Sequence, residues 1–207
     1  MTIIEEALNV ASEYMQGYDE SHNMDHIDRV CKNVDDIIAG EGIELTEREL
    51  IITKIITIFH EMYDSKYSSL QTPQRKMLVY DFYARYFNID EIELIDRTVR
   101  LISYSKEVRD GVKEPDNIYC NIVTSADRLD ALGEFGLQRC IQYGQAVYPQ
   151  YSTDEQWQRV YDHCYEKLLG LHKHIRIPWA RDKAIEETKI IQDFVAEWEK
   201  SVAIDNK

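Results

Sequence analysis

A chain of 207 residues with 44% hydrophobic content is long enough to bury one sizeable core, and we read one domain, 1–207. No run of about eighteen uninterrupted apolar residues occurs, since the richest stretch, Ile51 to Phe59, is broken by Thr53, Lys54 and Thr57, which excludes a spanning helix. A net charge of −14 works against nucleic-acid polymers and anionic membranes as partners, and any anionic substrate must be small and met by local positive charge such as a divalent cation.

Eight glycines and four prolines punctuate the sequence, and the segments between them carry apolar residues at three- and four-residue spacing, which predicts an all-α, single-domain compact helical bundle. Ile3, Ile4, Ala7, Leu8 and Ala11 mark a first helix. Ile27, Val30, Val34, Ile37 and Ile38 mark a second over 25–38, stopped by Gly40 and Gly42. Thr46, three residues before Glu49, has the capping-box spacing of a third helix start, and that helix runs towards His60. A loop with Ser65, Ser68, Ser69 and Pro73 precedes helices at 74–87 and 90–103, and a loop through Gly111 and Pro115 leads to a helix at 117–132. Its continuation from Gly133 to Tyr148 is closed by Pro149. The C-terminal helices occupy 154–200: one over 154–171 and a long last one from Pro178, with Ala184, Ile190, Ile191, Phe194, Val195 and Trp198 as its buried stripe.

The N-terminal MTIIEEALNV carries acids where a secretory signal would carry bases, and Cys31, Cys120, Cys140 and Cys164 form no C-x-x-C pair. Both features predict a cytoplasmic protein with reduced core cysteines.

Three of the six histidines, His22, His26 and His60, fall in the first third, each beside a carboxylate or amide. A single helical histidine is more often a surface or hydrogen-bonded core residue than a ligand; the grouping is what points to a metal. His60 ends the apolar run I-I-T-K-I-I-T-I-F-H-E, so its imidazole emerges from the core. In N-I-V-T-S-A-D-R-L-D-A-L-G, Asp127 sits beside the core face made by Ile122, Val123, Ala126 and Leu129. Burying a carboxylate unpaired is costly, and a divalent ion offsets that cost for several ligands at once.

These segments resemble the HD-domain superfamily, in particular its small bacterial hydrolases, whose metal signature is H…HD…D. S-H-N-M-D-H-I-D-R-V is similar to the family's H-D-x-x-H-x-x-R-V, H-E-M-Y-D-S-K-Y to its H-D-x-x-D-x-K-[FY], and A-D-R-L-D-A-L-G to its last ligand segment. All lie within 21–132, and weaker similarity continues at 101–105 and 183–198. The resemblance implies His26, His60, Glu61 and Asp127 as ligands of one divalent metal ion, Mn²⁺, Fe²⁺ or Mg²⁺. Two positions depart from the pattern: Asn23 and Glu61 stand where the family has Asp.

The implied activity is metal-dependent phosphohydrolysis of a nucleotide or related small phosphate ester. Asp64 and Lys66 flank the site, Asp64 taking the proton of attacking water, Lys66 and Arg29 holding phosphate oxygens and His22 protonating the leaving oxygen. Tyr63, Tyr67 or Tyr104 would stack on a base. Without the resemblance, Asp64 and Lys66 read as a loop salt bridge and Arg29 as a helix residue paired with Asp25. Asp130, near Asp127, reads as a supporting residue or a cap. The alternative function is a catalytically degenerate HD-domain nucleotide- or phosphate-binding protein. A di-iron oxygenase would need further histidines near the pocket, and His163, His172 and His174 read as surface residues. The expected oligomeric state is monomer or homodimer.

Overall fold

A computed structural model of the chain describes residues 1–19, 22–102, 107, 111, 116–147 and 150–205. Tyr104, Pro115, Tyr148 and Pro149, with the helix and loop boundaries expected there, lie outside the described residues. Among those described, the structure is helical and contains no strand, as the apolar spacing predicts.

The α-helices are α1 (Ile3–Tyr14), α2 (Met24–Glu41), α3 (Glu47–Phe59), α4 (Pro73–Tyr86), α5 (Ile89–Leu101), α6 (Ile118–Asp130), α7 (Gly133–Val147), α8 (Thr153–Glu166) and α9 (Pro178–Asp205). Local chemistry sets their ends. Thr46 and Glu49 form the expected capping box at α3, and Thr2–Glu5, Asn88–Glu91 and Ser152–Glu155 form others at α1, α5 and α8. Helix α2 runs through Gly40 and stops at Gly42, whose φ of 71° is the left-handed cap that glycine adopts most readily.

Two expectations are revised. Residues 65–70 form a 3-10 helix, Ser65–Leu70, because the Asp64 carboxylate caps its start and the Gln71 amide donates back to the Asp64 carbonyl. The helix expected over 154–171 breaks at Lys167, and Leu168–His174 continues as 3-10. Three residues per turn place Leu168 and Leu171, both buried, on one face.

The chain divides into two compact units, Met1–Thr124 and Ser125–Lys207, and the division falls inside α6. In the first unit α3 is buried nearly all round: Ile52, Thr53, and every residue from Ile55 to Phe59 are core. Helices α1, α2 and α5 pack on it, and α4 packs on α1. The Thr53 and Thr57 hydroxyls donate to carbonyls one turn back, each at 2.8 Å, so both polar groups are satisfied in the core. Phe59, Phe82, Tyr83 and Phe87 interlock through edge and tilted ring contacts. Each fully buried large side chain contributes about 1.5–3 kcal/mol. The second unit packs α7 against α8 and α9, and the Leu168–His174 turn against both α8 and α9, around Val160, Cys164, Leu171, Ala184 and Ile191. No helix among the described residues is long and apolar enough to cross a membrane.

Candidate metal centre

His26 stands in the first turn of α2, which Asn23 caps: its side-chain oxygen accepts from the backbone N–H groups of Asp25 at 3.0 Å and His26 at 3.3 Å. Asn23 thus does with an amide oxygen what an aspartate would do with a carboxylate. His60 is the C-terminal cap of α3 and opens a 3-10 turn, His60–Tyr63. The buried Tyr14 hydroxyl of α1 donates to the Met62 carbonyl at 2.7 Å and pins that turn.

The turn brings three donor atoms to one point. His26 Nε2 and His60 Nε2 are 3.2 Å apart, and Glu61 Oε1 lies 3.3 Å from the first and 3.5 Å from the second. His26 is fully buried, and His60 and Glu61 are 5% and 8% exposed. The His60 Nδ1 contacts the Thr57 carbonyl at 2.6 Å; a carbonyl only accepts, so Nδ1 carries a proton and Nε2 is the nitrogen turned towards His26 and Glu61. Burial works to raise the Glu61 pKa, but hydrogen bonds to His26 and His60 outweigh it and hold the carboxyl well below its usual range. Two imidazole nitrogens and a carboxylate this close need a positive charge among them. Their separations match the ligand–ligand edges of roughly 3.0–3.4 Å given by metal bonds of about 2.1 Å, so the donor set fits a divalent ion.

A second group adjoins it. His22, Glu61 and Asp64 each offer an atom within 4.8 Å of the others. The Lys66 ammonium lies 3.2 Å from His22 Nε2, and Tyr67 Oη lies 2.9 Å from His22 Nδ1 and donates to Asp19 Oδ2 at 2.6 Å. Asp64 Oδ1 accepts from the Lys66 backbone N–H at 2.8 Å.

No family model matches the chain. YpgQ, an uncharacterized protein of Bacillus subtilis strain 168, is 30% identical over 190 residues, covering 89% of this chain and 87% of its own. The crystal structure of YpgQ in complex with ADP covers 97% of this chain and 98% of that one, with a TM-score of 0.70 at 22% identity. An HD-superfamily hydrolase from Bacillus thuringiensis covers 97% and 96%, with a TM-score of 0.69 at 22% identity. This chain belongs to the family of YpgQ, and it has the fold of an HD-superfamily hydrolase.

In this HD-type fold the doublet reads His60-Glu61, and the longer carboxylate still reaches both imidazoles. Asp127 lies on α6, half-buried, four residues after Val123 and seven after Cys120, both of which are core. At 3.6 residues per turn it continues their face. Arg29 is half-buried on α2, one turn beyond His26. Asp130 is 5% exposed and ion-paired with Arg139.

Of the tyrosines expected to stack on a base, Tyr63 and Tyr67 are engaged by the protein and Tyr104 lies outside the described residues. The Tyr67 ring stacks on Tyr18 at 3.8 Å, and Arg100 covers Tyr63 at 4.1 Å while the Tyr63 hydroxyl donates to Asp96. His172 and His174, expected at the surface, are half-buried. Asp19 and Tyr18 carry no signal in the sequence; they meet Tyr67 only across nearly fifty residues of chain.

Proposed function

We propose that this protein is a metal-dependent phosphohydrolase acting on a nucleotide or related small phosphate ester, with His26, His60, Glu61 and Asp127 as ligands of one Mn²⁺, Fe²⁺ or Mg²⁺. The convergence of His26 Nε2, His60 Nε2 and Glu61 Oε1 at 3.2–3.5 Å inside the core carries this reading. When bound, the ion lowers the pKa of water and polarises a phosphoryl oxygen. Asp127 enters the ligand set because its helix face continues from Cys120 and Val123 and because its segment resembles the family's last ligand motif.

The remaining roles belong to side chains beside the ligands. Lys66 and Arg29 hold phosphate oxygens and offset the negative charge that grows in the transition state. Asp64 accepts the proton of the attacking water. His22 and Lys66, 3.2 Å apart, share a proton that is delivered to the leaving oxygen. A nucleotide is favoured because the relative YpgQ was crystallised in complex with ADP.

Metal content of the purified protein, followed by phosphate and pyrophosphate release from a nucleotide panel with added Mn²⁺, tests the proposal. Near-stoichiometric metal and turnover, both lost in His60→Ala, are expected. A wild type that holds no metal and releases no product sinks it. The ADP held by YpgQ supports a second reading, a nucleotide-binding protein without turnover, which predicts saturable ADP binding and no phosphate release.

A further inference from the structure

Asp19 and Tyr67 belong to none of the roles above, yet both are built against His22. The donor and acceptor at each contact follow from the groups themselves. An ammonium only donates, so at 3.2 Å from Lys66 Nζ the His22 Nε2 accepts. A carboxylate only accepts, so the Tyr67 proton points to Asp19 Oδ2 at 2.6 Å, leaving the phenol oxygen to accept from His22 Nδ1–H at 2.9 Å. Asp19 Oδ1, 3.4 Å from the same Nδ1, reinforces that placement. The hydroxyl has little freedom: Tyr67 is 8% exposed and its ring lies on Tyr18 with 15° between planes.

We propose that Asp19 and Tyr67 are positioning residues that fix His22 as its Nδ1–H tautomer and hold Nε2 at Lys66, on the side of Glu61 and Asp64. The catalytic meaning of this arrangement rests on the phosphohydrolase reading, in which His22 moves a proton to the leaving oxygen. With the wrong tautomer, Nε2 would present a hydrogen to the Lys66 ammonium and the pair would separate.

The test is the long-range ¹H–¹⁵N correlation spectrum of protein labelled with ¹⁵N-histidine and loaded with Mg²⁺, His22 being assigned by its loss in His22→Gln. Wild type is expected to show the Nδ1–H pattern. Tyr67→Phe, which keeps the ring and its packing, and Asp19→Asn should move His22 to a mixture of tautomers. In turnover assays the same variants should lower kcat on the order of 10-fold with KM little changed, and add no further loss in a His22→Gln background. An Nε2–H pattern in wild type, or an unchanged His22 in Tyr67→Phe, overturns the assignment. Absence of turnover in wild type counts against the hydrolase reading alone, because the tautomer remains readable.

Discussion

His60 Nδ1 stands 2.6 Å from the carbonyl oxygen of Thr57, so the last turn of α3 itself decides which imidazole nitrogen faces His26 and Glu61. That carbonyl also accepts from the His60 backbone N–H, so the end of α3 holds His60 at two points while turning Nε2 inward. A local helix-ending interaction thereby orients the imidazole.

Glu61 supplies the negative charge of the group. Glu61→Gln keeps the shape and removes the charge, and its Mn²⁺ affinity should fall by about 100-fold or more in calorimetric titration. Glu61→Asp keeps the charge but withdraws the oxygen from the imidazoles, and an intermediate loss is expected. Equal affinity in Glu61→Gln and wild type would remove Glu61 from the ligand set.

Asn23 departs from the family pattern, yet its oxygen caps α2. Asn23→Ala should lower stability by about 1 kcal/mol in denaturant titrations. Asn23→Asp should leave stability unchanged or improve it, because a carboxylate accepts the same N–H groups and suits the positive helix end. A destabilised Asn23→Asp would mean that the amide N–H₂ matters more than the cap.

Stability at acid pH should depend on Glu91. Its carboxylate accepts two hydrogen bonds from Arg48, at 2.7 and 2.6 Å, and one from the Asn88 N–H, and these pull its pKa down to about 2. The folded value lies below the unfolded value of about 4.3, so the contribution is complete above that pH and is lost as the pH falls towards 2. The stability difference between wild type and Glu91→Gln, measured by urea unfolding, should be constant above about pH 5 and shrink below it. A difference independent of pH down to the acid limit would contradict the pairing.

Asp130 lies near Asp127 in sequence but is buried against Arg139 within the second unit. Arg139→Ala leaves that charge without its guanidinium and should cost about 3 kcal/mol, with metal content unchanged. Loss of metal in a variant that is still folded would transfer Asp130 to the site.

Much of the fold was legible in the sequence because its signals are local. Three- and four-residue apolar spacing identified the helices, Thr46 and Glu49 marked the start of α3, and Gly42 marked the end of α2. The shift to 3-10 geometry at Ser65–Leu70 and Leu168–His174 was not legible, because it depends on the Gln71–Asp64 contact in one case and on how Leu168 and Leu171 meet the core in the other.

The site divides the same way. The residue types drew attention to His22, His26, His60 and Asp127, and the resemblance of their segments to HD-domain motifs added Glu61, Asp64 and Lys66. That Glu61 reaches both imidazoles, that Tyr63 and Tyr67 are turned to protein partners, and that Asp19 stands behind His22 were decided by the tertiary structure alone. Those facts are distances between residues far apart in the chain, and sequence periodicity carries which face a side chain is on but not which atom from another helix it meets.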